Sequence, residues 1–209
     1  MKDRLNLTEG RITEKLLKLS LPIMGTSFIQ MGYNMIDMIW VGKAGSKAVA
    51  AVGTAGFFPW LAMAFIMISK VGGEIKVAQS IGANNISTTK SYMKSAIEIN
   101  IILAIIYTIS LIVLNKQLIG FFRLGNLEVI TMSRQYLIIV ALGMVFYFIN
   151  PVFTAIFNGL GNSKTPFRIN TVGLITNIIL DPILIFGWGF APKLGVAGAA
   201  IATVFAQIV

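Results

Sequence analysis

Residues 96–114 read AIEINIILAIIYTISLIVL and carry a single charged side chain, Glu98, close to the first residue. About 20 helical residues cross about 30 Å of hydrocarbon at 1.5 Å per residue. A surface helix of a soluble protein would show a charged face along this length. The stretch therefore predicts a transmembrane helix.

The same pattern recurs along the chain. Four further apolar stretches of spanning length lie at about residues 19–41, 49–71, 136–157 and 167–190, and a sixth runs over residues 195–209. Backbone groups in lipid must find hydrogen-bond partners within their own segment, so these stretches are predicted to be helices. We expect an all-α, polytopic membrane bundle with five complete transmembrane helices, an incomplete sixth, and a cytoplasmic tail over residues 1–18.

The overall composition agrees with lipid as the solvent. Hydrophobic residues make up 56% of the chain and charged residues 12%, with a mean hydropathy of +0.81. A soluble domain carries about twice that share of charge. The net charge of +9 is typical of some nucleic-acid binders, but here Lys and Arg form short clusters between apolar runs. That distribution indicates a membrane topology, so no nucleic-acid partner is expected.

The chain contains no Cys and no His. Disulfides and thiolate catalysis are therefore excluded, and the usual general base and commonest transition-metal ligand are missing. No other catalytic constellation is visible. We expect neither an enzyme nor a transition-metal site nor a bound cofactor.

The basic residues predict the orientation of the helices. With the N-terminus inside, eleven Lys and Arg lie on the inner side and six on the outer side. The inner set is Lys2, Arg4, Arg11, Lys15, Lys18, Lys70, Lys76, Lys90, Lys94, Lys164 and Arg168; the outer set is Lys43, Lys47, Lys116, Arg123, Arg134 and Lys193. The excess favours a cytoplasmic N-terminus in a multi-pass plasma-membrane protein, the inner membrane of a prokaryote.

Two carboxylates lie inside apolar spans, away from the inner ends: Asp37 in the first and Asp181 in the fifth. An Asp at a helix centre costs about 2.5–3.5 kcal/mol on insertion scales, so such residues usually face a cavity and are functional. Both spans run outward, and both residues lie about 20–28 Å from the inner end. We therefore expect the two carboxylates to meet at one depth.

Each carboxylate belongs to a polar stripe on one helix face. Gln30, Asn34 and Asp37 recur at the helical period, with Tyr33 beside them. In the fifth span the stripe consists of Asn170, Asn177 and Asp181. We predict that Gln30, Tyr33, Asn34 and Asn170 line a cavity, together with Asn150 from the fourth span.

Two prolines are predicted to kink the helices that carry the carboxylates: Pro22 in the first span and Pro182 in the fifth. Since Pro182 has no N–H, the carbonyl of Ile178 loses its helical partner and becomes available as a ligand. Carboxylate, amide and carbonyl oxygens are the ligands that Na⁺ finds in broken transporter helices. Thr203 is positioned to add a hydroxyl.

The alternative interpretation is that each Asp only hydrogen-bonds a neighbouring helix and holds the bundle together. Polar contacts inside membranes average about 0.6 kcal/mol, which is less than the cost of inserting the carboxylate. We therefore prefer a functional interpretation for Asp37 and Asp181.

An ordered set of short motifs resembles the multidrug and toxic compound extrusion (MATE) family. The motifs are Leu21-Pro22, Tyr33-Asn34, Asp37, Val41-Gly42, Ala48 to Gly53, Ala78 to Ala83, Gly159 to Pro166, Asn177, Asp181-Pro182 and Gly195 to Ala200. The resemblance runs from about Leu7 to the last residue. One departure is Asn84, where many relatives have Gly, and it does not affect the predicted site.

The resemblance implies more than the composition does. MATE proteins have twelve helices in two six-helix lobes around a central cavity, so this chain resembles the N-terminal lobe, and its partners would be the C-terminal lobe and the lipid bilayer. The family exports cationic, amphipathic compounds in exchange for Na⁺ or H⁺. In its prokaryotic branch, an Asp in the first helix and an Asn/Asp pair in the fifth bind the coupling cation, and these match Asp37, Asn177 and Asp181.

Two other functions stay open. A related flippase for lipid-linked sugars or cell-wall precursors would line its cavity with Arg or Lys to hold phosphates. A non-transporting membrane scaffold would not need two intramembrane carboxylates at one depth. We expect a cation-coupled antiporter that works by alternating access.

Overall fold

The computed structural model describes residues 11–189 and 191–209, and these residues form eight α-helices and no β-strand. The helices are α1 (Ile12–Lys43), α2 (Ser46–Gly82), α3 (Ile86–Val113), α4 (Asn115–Phe121), α5 (Leu127–Leu142), α6 (Met144–Gly159), α7 (Lys164–Phe186) and α8 (Val196–Ile208). The all-α class predicted from the sequence is confirmed.

Two predicted boundaries lie outside the described residues. Residues 1–10 of the tail predicted over residues 1–18 are not among the described residues. Neither is Phe190, where the fifth span is predicted to end. Residues 12–18 belong to α1.

Three of the described helices, α2, α3 and α7, are each long and apolar enough to cross a membrane. The pair α5 and α6 meets the same criteria together, with a bend of 52° between its two helices. α1, with 32 residues, is long enough but is interrupted by its polar stripe and does not meet these criteria. α8, with 13 residues, is too short to meet them. By length and composition alone, the described helices therefore provide three spans, or four with the bent pair, fewer than the five complete spans expected.

The fourth predicted span, residues 136–157, is two helices. The break lies at Gly143, whereas Pro151 is inside α6. A Cβ atom at Gly143 would lie 2.5 Å from Cγ2 of Val204 in α8, so only glycine permits this approach. The bend thus lies where a neighbouring helix packs closest, and not at the proline.

Residues 72–92, between the second and third predicted spans, are polar enough to suggest a loop, but the structure shows that they are mostly helix. α2 continues to Gly82, α3 begins at Ile86, and the side chain of Asn85 caps α3 by accepting a hydrogen bond from Thr88 N at 3.1 Å. A helix of 37 residues is about 55 Å long, longer than the hydrocarbon is thick. The polar C-terminal part of α2 therefore extends beyond the hydrocarbon as helix.

The helices pack in two connected groups. α2 contacts α3, α5 and α6, and α7 lies between α1 and α8. Small side chains permit the close approach: Ala51, Ala55 and Ala62 of α2 are fully buried, and so are Ala199 and Ala202 of α8. The second group consists of α1, α7 and α8, and contacts between α5 and α8 join it to the first group. It positions the polar residues of α1 and α7.

Gly198 is the closest point between α7 and α8, because a Cβ atom there would overlap the carbonyl oxygen of Leu184. We expect Gly198→Ala to lower the stability of the protein in detergent by about 1–3 kcal/mol, since backbone must move to admit the methyl group. Thermal unfolding followed by circular dichroism measures this change.

Gly53 of α2 is the matched control, since nothing lies within 4 Å of a Cβ atom built there. Gly53→Ala should be neutral or stabilising by about 0.5–1 kcal/mol. Equal melting temperatures for Gly198→Ala and Gly53→Ala would contradict the proposed packing of α7 on α8.

Candidate functional site

Asn177 and Asp181 form a fully buried pair on α7. Both side chains are 0% exposed, and Asn177 Nδ2 donates a hydrogen bond to Asp181 Oδ1 at 3.1 Å. They lie one helical turn apart, so the α-helix itself holds the amide against the carboxylate. The bond leaves two oxygens, Asn177 Oδ1 and Asp181 Oδ2, without a partner among the described residues.

Two further oxygens without a partner come from the neighbouring helices. Asp37 Oδ1 on α1 and Thr203 Oγ1 on α8 are buried, and neither has a hydrogen-bond partner in the described part of the chain. Asp37 lies close enough to Asp181 for the two carboxylates to interact electrostatically. The four residues predicted to bind the cation therefore all present a buried, unpartnered oxygen.

Two tyrosines border this group. The hydroxyl of Tyr33 donates a hydrogen bond to the carbonyl oxygen of Thr203 at 3.3 Å, which ties α1 to α8. Tyr136 of α5 is buried, lies close to Thr203, and is within electrostatic range of Asp37 and Asp181. Sequence reasoning missed Tyr136, although a tyrosine in an apolar span signals a hydroxyl that needs a partner.

An unpartnered buried polar atom costs about 1–3 kcal/mol. The described residues contain eight such side-chain atoms, and four of them belong to Asp37, Asn177, Asp181 and Thr203. Carboxylate, amide and hydroxyl oxygens are the donors that hard cations prefer. The arrangement fits a bound Na⁺, or a proton held by a carboxylate.

A cavity of about 450 Å³ adjoins this group between α1, α6, α7 and α8. The structure places all five side chains predicted to line a cavity along its wall, namely Gln30, Tyr33, Asn34, Asn150 and Asn170. Neither Asp37 nor Asp181 is among the lining residues. Since Tyr33 lines the cavity and also contacts Thr203, it is shared by the cavity and the carboxylate group.

Both predicted kink residues lie inside continuous helices, Pro22 in α1 and Pro182 in α7. Thr26 Oγ1 donates to the carbonyl oxygen of Pro22 at 3.0 Å. Such bonding to the preceding turn often bends a helix. Among the described residues there is no group of three or more His, Cys, Asp or Glu that would hold a metal ion.

Comparison with known proteins identifies relatives along most of the chain. The model of the MatE family matches residues 22–183. A probable multidrug resistance protein NorM from Thermotoga maritima is 32% identical over 199 residues, which cover 95% of this chain and 42% of that protein. An FAD transporter from Shewanella oneidensis is 30% identical over 214 residues, and this match covers 100% of this chain and 46% of that protein.

A solved structure agrees with the sequence comparison. A MOP superfamily transporter from Pyrococcus furiosus, whose binding pocket is described as having reverse polarity, superimposes with a TM-score of 0.85 at 28% identity. The match covers 97% of this chain and 44% of that one. The chain thus spans less than half the length of the relatives it matches.

The absence of a partner for Thr203 Oγ1 predicts an unusual effect on stability. We expect Thr203→Val to stabilise the protein by about 1–2 kcal/mol in buffer without Na⁺, because it removes an unsatisfied buried hydroxyl. Thermal unfolding in detergent measures the shift.

Thr89→Val is the control, since the Thr89 hydroxyl donates a hydrogen bond to the carbonyl oxygen of Asn85 at 2.8 Å and lies 2.9 Å from Ser80 Oγ. It should destabilise the protein by about 1 kcal/mol. If both variants lose the same stability, the Thr203 hydroxyl has a partner and is not available to a cation.

Proposed function

Because the chain belongs to the MatE family, we propose that it forms the N-terminal lobe of a cation-coupled antiporter that exports amphipathic organic compounds. As a family member it is a multi-pass membrane protein of a transporter family. A second six-helix lobe completes the transporter, in keeping with the 42–46% of their length over which these relatives match.

The group of four unpartnered oxygens supports this function more than any other observation. Asp37 and Asp181 lie within electrostatic range of each other, and two carboxylates in a site of low polarity repel each other until a cation arrives. Binding of Na⁺ or H⁺ from outside neutralises Asp37 and Asp181 and satisfies the unpartnered oxygens. Release of the ion inside restores the charge.

Transport follows when the coupling ion and the substrate favour different states. The ion must bind one of the two conformations, outward-open or inward-open, more tightly than the other. α1 is the element that responds, because it carries Asp37 in the ion site, Gln30 and Asn34 in the cavity, and Pro22 near its inner end. Loading the site shifts α1 about Pro22 and expels the substrate outward.

The relatives suggest two classes of substrate. The probable multidrug resistance protein supports drugs as substrates, and the FAD transporter supports a metabolite with a large heteroaromatic ring. A flippase for lipid-linked phosphates is less well supported, because the described residues that line the cavity include no Lys or Arg. A scaffold without transport would gain nothing from the unpartnered oxygens.

We propose a cytoplasmic N-terminus in the plasma membrane, from the excess of basic residues on that side. The lobe contains no Cys, so a single introduced Cys is its one labelling site. In intact cells, an impermeant maleimide should label Lys116→Cys in α4 and spare Lys90→Cys in α3, whose side chains are both exposed. Labelling after permeabilisation is the control, and the reverse pattern would contradict the orientation.

The transport proposal is tested with the full two-lobe protein in cells that lack their own efflux pumps. We expect wild type to lower the accumulation of a fluorescent organic cation and Asp181→Asn to abolish this effect. The reason is that an amide has no negative charge with which to bind the coupling Na⁺ or H⁺. Buffers with and without Na⁺ at two pH values identify the coupling ion.

Glu98→Gln provides the matched control, since Glu98 is exposed and pairs only with Lys94 at 3.6 Å. It should export as wild type does. Full export by Asp181→Asn would show that Asp181 is structural. If no variant, wild type included, changes accumulation, the flippase alternative becomes the better hypothesis.

A further inference from the structure

The short helix α4 lies at the end of a span and on the side of the lobe that faces away from the cavity. It follows directly after α3, which is long and apolar enough to cross a membrane, so α4 begins at the depth of the lipid headgroups. α4 packs chiefly on α3 and α5, whereas the cavity lies between α1, α6, α7 and α8. In the proposed two-lobe transporter, whose second lobe completes the cavity, α4 therefore faces lipid.

Exposed aromatic rings from α2 and α4 form one cluster at this position. The ring centroids of Phe57 and Trp60, of Phe57 and Phe122, and of Phe121 and Phe122 are each 5.8 Å apart. Trp60 is nevertheless 70% exposed and Phe121 82% exposed. Aromatic side chains concentrate where the hydrocarbon meets the headgroups, because they pack against both apolar and polar neighbours. The cluster is thus suited to contact with phospholipid.

Three basic side chains lie on or beside α4, namely Lys116, Arg123 and Arg134. Lys116 and Arg123 are exposed, while Arg134 Nε donates to Asn115 Oδ1 at 2.9 Å and keeps its other guanidinium N–H groups for a further acceptor. None of the three belongs to an ion pair among the described residues, since Glu128, the one acidic residue between Arg123 and Arg134, is bound to Lys47. Three cations without a counter-charge favour an anionic ligand.

Gly120 leaves an open space between two of these cations. It lies one helical turn after Lys116, and its carbonyl oxygen accepts a hydrogen bond from the N–H of Arg123 at 3.1 Å. No atom of the described residues lies within 4 Å of a Cβ atom built at Gly120. A phosphate group placed over Gly120 therefore meets no side chain that would exclude it, and it has a basic residue on either side.

From this arrangement we infer that α4 forms a binding site for an anionic phospholipid. The phosphate lies over Gly120 between Lys116 and Arg123, and the acyl chains run along Trp60 and Phe121. A headgroup such as phosphatidylglycerol is preferred over phosphatidylcholine, because the ammonium of the latter offsets the charge of its own phosphate. The assignment to the outer leaflet rests on the proposed function and orientation, and the exposed rings favour a lipid over a free phosphate compound.

The test uses the full two-lobe protein in bilayers, with Gln117→Cys as its only cysteine and a fluorophore attached there. Gln117 is an exposed residue of α4, so phospholipids that carry bromine on their acyl chains quench the probe when they occupy this part of the surface. Brominated phosphatidylglycerol is titrated into phosphatidylcholine, and brominated phosphatidylcholine into phosphatidylglycerol. We expect the two titrations to give at least about tenfold preference for phosphatidylglycerol at this position.

Four variants locate the site. Lys116→Gln and Arg123→Gln should each lower the preference about fivefold, because each removes one basic residue from the headgroup region. Gly120→Leu keeps every charge and fills the open space, so it should lower the preference as well. Lys193→Gln is the matched control, since it removes an exposed basic residue from the connection between α7 and α8 and should leave the preference unchanged. Melting temperatures verify that each variant is folded.

Equal affinities for the two lipids, or a full preference in both Lys116→Gln and Arg123→Gln, would overturn the inference. An unchanged preference in Gly120→Leu, or an equal loss in Lys193→Gln, would overturn it too, because attraction to the general surface charge would then suffice. Displacement of phosphatidylglycerol by soluble glycerol phosphate would assign the site to free phosphate compounds and not to lipid. Loss of export in a protein that keeps the lipid preference would reject the transport proposal alone.

Discussion

The need to keep Asp181 buried in an apolar bundle governs the rest of this lobe. A carboxylate with no exposure requires partners, and the neighbouring turn of α7 supplies only one, the amide of Asn177. The remaining oxygen has none among the described residues, although lipid offers no alternative. Buried oxygens without a partner among the described residues also come from α1 at Asp37 and from α8 at Thr203, so three helices contribute to one polar group inside the apolar bundle.

This arrangement depends on residues that carry no chemistry. α8 reaches α7 because Gly198 has no side chain to collide with Leu184, and Ala199 and Ala202 are small enough to be fully buried. A Cβ atom at Gly173 of α7 would lie 3.0 Å from the carbonyl oxygen of Ala206, so the two helices stay close over two turns. The position of Thr203 beside α7 and α1 therefore depends on these small residues.

The sequence predicts the membrane fold and the polar stripes because lipid makes both signals strong. A charged or amide side chain in an apolar span is costly, so Asp37, Asn177 and Asp181 are conspicuous without any structure. Other features depend on packing between distant segments. Tyr136 joins the group only because α5 packs on α8, and the bend at Gly143 follows from contact with Val204. The C-terminal part of α2 stays helical beyond the hydrocarbon, where polar residues no longer distinguish a helix from a loop.

The proposed ion site and the cavity are connected through one helix, α1. Asp37 lies on the same helix as Gln30 and Asn34, so α1 carries both a carboxylate of the proposed ion site and two amides of the cavity. Tyr33 stands between them, with its ring in the cavity wall and its hydroxyl bonded to α8 at Thr203. A change in the ion site that moves α1 against α8 must therefore alter the cavity.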